Sequence, residues 1–101
     1  MLSYSRRVQI PGKTSQELYN VVSQDIERFL DKSPFGKFEL TRDPLKKKFK
    51  IQSSLFSAIL TCMEMEMELH AELGLFAAPF KAKLDESITR WLSKTFHLNG
   101  K

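Results

Sequence analysis

Apolar and polar residues alternate along much of this chain, and elsewhere they repeat at three- and four-residue steps. Within SYSRRVQI, ahead of Pro11–Gly12, Tyr4, Arg6, Val8 and Ile10 share one parity, which predicts a first strand. Thr14 and Glu17 then make the T-x-x-E capping box that opens a helix. Leu18, Val22, Ile26, Phe29 and Leu30 continue at helical period. Ser33-Pro34-Phe35-Gly36 ends the helix, because the residue before a proline avoids the α region. Two short strands are expected next. The first is Lys37–Leu40; after a turn at Thr41-Arg42-Asp43-Pro44, the second is Lys46–Gln52, with Phe49 and Ile51 inward.

Leu55 to Leu73 contains no Gly, Pro, Asn or Asp. As one strand at ~3.3 Å per residue it would span roughly 60 Å, far more than a domain with a radius of gyration near ~13 Å can hold. The run must therefore turn. Phe56, Ala58, Leu60 and Cys62 are apolar at even positions, whereas from Met67 onward the odd positions are apolar. Such a change of parity places a hairpin or bulge at Met63–Glu66. Pro79 suits the first position of a closing helix, and Phe80, Leu84, Ile88, Trp91, Leu92 and Phe96 recur along it before Asn99–Gly100. The expected order is β-α-β-β-β-β-α: a single α+β domain, an antiparallel sheet with two helices on one face.

Composition narrows the function classes. The 101 residues suit one domain, and 42% hydrophobic content supports a small core. Cys62 is the single cysteine, so no internal disulfide can form, and its apolar neighbours predict a buried, inert thiol. The amino terminus has no apolar signal-like region, and no run reaches the ~18 apolar residues of a membrane span. A cytoplasmic protein without a transmembrane segment is expected. The net charge of +4 is concentrated in the first half, notably at Lys46, Lys47, Lys48 and Lys50. Without companion arginines and exposed aromatics this reads as a solvated basic face, and no nucleic-acid partner is expected. No nucleophile elbow, phosphate-cradling glycine loop or Cys/His metal spacing occurs, so no enzyme activity and no cofactor are expected.

Two stretches carry candidate chemistry. In MEMEMELHAEL (Met63–Leu73), Glu68, His70 and Glu72 fall on one side of a strand. They are the weak candidates for a metal or acid–base site, although one strand supplies a row of ligands and not a closed shell. The favoured reading is a wet sheet face facing a basic neighbour, for which Lys46, Lys48 and Lys50 are the candidates. Met63, Met65 and Met67 are expected in the core. Leu75-Phe76-Ala77-Ala78 is apolar where a connection is usually polar. It is either buried under the helix or a patch for a partner, a polymer surface or a second subunit.

The segment ELGLFAAPFKAKLDESITRWL, through Leu73, Gly74, Leu75, Pro79, Phe80, Lys81, Leu84 and Ile88, resembles the C-terminal signature of the putative polyhydroxyalkanoic acid system proteins, the polyhydroxyalkanoate granule region family. The resemblance implies a bacterial accessory protein of polyester storage-granule metabolism with no catalytic residues. The element layout also resembles a shortened version of the START-like helix-grip fold, in which a long C-terminal helix lies across a curved antiparallel sheet. The expected function is a non-enzymatic module that binds an apolar small molecule, a granule surface or a protein partner through Leu75, Phe76, Phe80, Leu84 and Trp91. The alternatives are a structural homo-oligomer and, less favoured, a His/Glu metal-binding protein.

Overall fold

The computed structural model describes residues 2–32, 37–75 and 78–96. These run as β1 (Leu2–Gln9), α1 (Ser15–Asp31), β2 (Glu39–Asp43), β3 (Lys48–Gln52), β4 (Phe56–Met63), β5 (Glu66–Leu73), a 3-10 turn (Ala78–Phe80) and α2 (Lys81–Phe96). The strands form one antiparallel sheet in the order β1-β5-β4-β3-β2. β1 and β2 are thus the two edges, and α1 carries the chain from one to the other.

Both helices cover the same face. Leu18, Val22, Ile26 and Leu30 of α1, with Ile88 and Leu92 of α2, share one buried cluster with Tyr4, Phe49, Ile51, Ala58, Leu60, Cys62, Met67 and Ala71 of the strands. The α+β architecture is therefore as the alternation predicts. Fully buried Phe49 stacks on Tyr19 with ring centroids 4.7 Å apart, and burying a side chain of this kind contributes about 1.5–3 kcal/mol. Burial also pushes the Cys62 thiol up to about 11, so it stays protonated and unreactive at neutral pH.

α1 begins as its capping box dictates. The Glu17 amide donates to Thr14 Oγ1 at 3.1 Å, and the Thr14 amide donates to Glu17 Oε1 at 2.9 Å. The bond from the Thr14 amide, with a smaller effect of the Thr14 side chain, holds the Glu17 carboxyl below its usual range. The predicted hairpin at Met63–Glu66 is also present, with Glu64 and Met65 between β4 and β5. Met65 has φ 59°, a left-handed conformation that costs about 1–2 kcal/mol for a residue with a Cβ. The β1–α1 connection holds it there. The Met65 amide donates to the Lys13 carbonyl at 2.7 Å, and the Met65 carbonyl accepts from Ile10 at 2.8 Å. Glu64 reaches the start of α1, where its carboxylate accepts from the Ser15 amide at 2.8 Å. That bond pulls the Glu64 carboxyl below its usual range.

Several expectations need correction. Thr41-Arg42-Asp43 is not a turn: it is strand, paired with Lys50, Phe49 and Lys48. The turn falls at Pro44–Lys47, where Asp43 Oδ1 accepts from the Lys46 amide at 3.1 Å and Lys47 takes φ 55°. β3 accordingly starts at Lys48 and not Lys46. Of the three alternating methionines only Met67 is core; Met63 lies on the open face, and Met65 is 52% exposed in the hairpin. α2 proper starts at Lys81 after the 3-10 turn, and Phe80 is 40% exposed instead of packed inward. The predicted helix ends at Ser33–Gly36 and Asn99–Gly100 lie outside the described residues.

Candidate site: a groove between the two helices

Beside its buried stripe, α1 carries Val21, Asp25, Arg28, Phe29 and Lys32, spaced to follow one side of the helix. α2 presents Leu84, Ser87, Trp91 and Lys94 in the same way. The two rows face each other across a groove of about 680 Å³, within the ~300–1,000 Å³ typical of small-molecule sites. Phe29 and Trp91 meet across it in a stacked pair, centroids 4.7 Å apart and planes 26° apart. Trp91 Nε1 donates to Asp25 Oδ2 at 2.5 Å, and Arg28 stands 3.5 Å from Asp25 Oδ1. Beneath the aromatic pair lies an apolar void of about 50 Å³, bordered by Ile26, Leu60, Met67, Leu69 and Ile88. Phe29 and Trp91 border this space as well as the groove. The groove thus combines an aromatic floor with a rim of Arg28, Lys32, Arg90 and Lys94.

Of the five residues expected to bind a partner, the groove brings together Leu84 and Trp91. Leu75 is 84% exposed in the β5–α2 connection, and Phe80 sits in the 3-10 turn; neither lines the groove. Phe76 lies outside the described residues. The α1 half of the site was missed by sequence reasoning. Its signal was available: Val21 and Phe29 widen the apolar arc of α1 beyond the Leu18-Val22-Ile26-Leu30 stripe that the sheet alone requires.

The acidic row does face out from the open side of the sheet, joined by Glu66. Its basic neighbour is Arg7 on β1, whose guanidinium lies 2.9 Å from Glu66 and 2.8 Å from Glu68. These carboxylates hold the Arg7 guanidinium above its usual pKa. The lysines of β3 are not adjacent, because β4 intervenes and places Thr61 and Ile59 beside Glu68 and His70. His70 lies between Ser5 Oγ at 2.8 Å and Glu72 Oε2 at 3.1 Å. Among the described residues no three His, Cys, Asp or Glu side chains are placed to share a metal ion.

A second polar cluster ties α2 to the edge of the sheet. Tyr4, buried on β1, donates its hydroxyl to Asp85. Arg6 donates to Asp85 Oδ1 at 3.2 Å and to Thr89 Oγ1 at 2.6 Å. Burial first, and then the bond to Asp85, push the Tyr4 phenol up to about 12. It is a protonated structural donor, not a general base. At the other edge Arg42 donates to Ser23 Oγ at 3.1 Å and to the Ser23 carbonyl at 3.2 Å on α1.

No family model matches the chain, and no curated protein matches it. Among solved structures it is similar to a TBP-like protein from Parabacteroides distasonis, with a TM-score of 0.58 and 16% identity over 68% of this chain. The chain spans about half, 52%, of that protein's length. This likeness supports the sheet-and-helix fold. No described helix is long and apolar enough to cross a membrane.

Proposed function

We propose that the protein is a non-enzymatic binding module that takes an apolar small molecule in the groove between α1 and α2. The observation that carries this reading is the Phe29–Trp91 pair, which presents an aromatic surface to the groove and has an apolar void behind it. Aromatic faces and Leu84 offer contact area to an aliphatic chain. The polar groups of the groove orient a ligand without forming a nucleophile–base pair. A cytoplasmic role beside polyester storage granules, where hydroxyalkanoates are the apolar species, agrees with the family resemblance.

Trp91 is the sole tryptophan, so its emission reports on the groove directly. Titration with hydroxydecanoate or decanol should change that emission saturably and raise the melting temperature. The rise corresponds to about 2.7 kcal/mol at a hundredfold excess over Kd. Phe29→Ala should weaken binding about tenfold, the loss of roughly 1.4 kcal/mol of stacking and burial. Unchanged emission and melting temperature with both probes would refute the reading.

A second reading is favoured by Leu75, whose 84% exposure leaves an apolar side chain at the sheet end. In that reading the β5–α2 connection is a contact between copies of the chain. Sedimentation showing a strict monomer at high concentration removes it.

A further inference from the structure

Resting on the groove reading above, we propose that the ligand is specifically an anionic amphiphile: a free aliphatic carboxylate, bound as a single molecule with its tail on Phe29 and Trp91 and its head at the cationic rim. The charge of the groove carries this inference. Four cationic side chains, Arg28, Lys32, Arg90 and Lys94, line it against one carboxylate, that of Asp25. Asp25 is already engaged twice, by Trp91 Nε1 at 2.5 Å and by Arg28 at 3.5 Å. Arg28 offsets the Asp25 charge, which leaves Lys32, Arg90 and Lys94 as the net positive charge of the groove. Arg90 has only a loose pair with Glu86 at 3.7 Å, both side chains about three-quarters exposed. No ion pair joins Lys32 or Lys94 to another described residue.

The other carboxylates of the two helices, Glu17, Glu27, Asp31, Asp85 and Glu86, do not line the groove. The carboxylates of β5 lie on the opposite, open face of the sheet, where Arg7 engages Glu66 and Glu68. The groove itself joins an apolar floor to a positive rim, and an amphiphile of opposite charge complements both parts at once. A neutral alcohol satisfies only the floor, and a cationic amphiphile meets repulsion at the rim.

The test compares three amphiphiles of equal chain length: decanoate and decyltrimethylammonium below their micelle concentrations, and decanol below its solubility limit. Trp91 emission is the readout, checked by calorimetry on the full chain. An exposed cation contributes about a 1.5- to 5-fold gain in affinity for an anion, so decanoate should bind roughly tenfold tighter than decanol. Decyltrimethylammonium should bind more weakly than either, and added salt should close the gap. The double variant Lys32→Gln, Lys94→Gln should bring the ratio of decanoate to decanol affinity, both measured on that variant, close to one. Equal or tighter binding of decanol overturns the anion assignment but leaves the groove as an apolar site. A decanoate preference that survives both the double variant and salt also overturns it. If none of the three probes perturbs Trp91, both this assignment and the groove reading fall.

Discussion

The bond between Asp25 and Trp91 makes a measurable claim about how the groove is held. Trp91 Nε1 donates to Asp25 Oδ2 at 2.5 Å. A hydrogen bond to a charged acceptor contributes about 1.5–3 kcal/mol net. The Asp25 side chain is 25% exposed, so water competes for it, and we expect a coupling of about 1–2 kcal/mol. A single Asp25→Ala change does not isolate that figure. It also removes the Arg28 contact at 3.5 Å, and alanine's higher helix propensity returns roughly 0.5 kcal/mol. A double-mutant cycle with Trp91→Phe cancels both terms, since phenylalanine keeps a ring over Phe29 but has no N–H to donate. Urea unfolding followed by far-ultraviolet circular dichroism gives the four stabilities. Asp25→Ala should therefore cost about 1–2 kcal/mol less when Trp91 is already Phe. In the Asp25→Ala protein Trp91 emission should also shift to the red as the ring loses its anchor. A coupling within the ~0.5 kcal/mol seen for independent sites would refute the latch.

Two further predictions address the frame that carries the groove. The Tyr4 phenol is raised from 10.0 to about 12 in the fold. Its contribution is fully present below the unfolded value and is lost as pH climbs through the folded one. Wild-type stability should thus fall by on the order of 2 kcal/mol more than that of Tyr4→Phe across that window, measured by denaturant unfolding; parallel pH profiles would contradict it. A Cβ on Gly74 would sit 3.0 Å from the Leu55 carbonyl oxygen, which already accepts the Gly74 amide at 2.8 Å. Gly74→Ala should therefore cost about 1–3 kcal/mol and lower the melting temperature, and an unchanged melting temperature would show that the loop yields freely.

The hairpin inside MEMEMELHAEL shows what sequence reasoning reaches and where it stops. Chain length and the parity change locate the turn at Met63–Glu66, although no residue there is a usual turn former. What the local residues do not contain is the reason the turn stands. Met65 is held at φ 59° by Lys13 and Ile10, and Glu64 by Ser15, all about fifty residues earlier in the chain. The opposite error occurred at Thr41-Arg42-Asp43-Pro44, whose turn chemistry was overridden by pairing with β3. The same distance effect hid Arg7 as partner of the acidic row, because nothing in local spacing says that β1 lies against β5. The core faces of α1, β3, β4 and β5 were legible, since burial follows period alone. The groove was not, because it depends on how far apart two helices settle on one sheet.

That separation has a cause in the edge strands. On β1 and β2 an arginine occupies an inward-facing position, Arg6 and Arg42, where an apolar residue would be the default. Each sits on a sheet edge, so its stem covers the core margin while its guanidinium reaches a helix. Arg6 binds Asp85 and Thr89 of α2; Arg42 binds Ser23 of α1 and stands 3.6 Å from Glu27. Each helix is therefore tied outward, to its own edge of the sheet. Among the described hydrogen bonds and ring contacts, the helices meet at Phe29, Trp91 and Asp25. A layer fastened at its two margins opens most easily along its middle seam. The groove runs along that seam, and the Asp25–Trp91 bond with its stacked rings fixes the floor on which a ligand would rest.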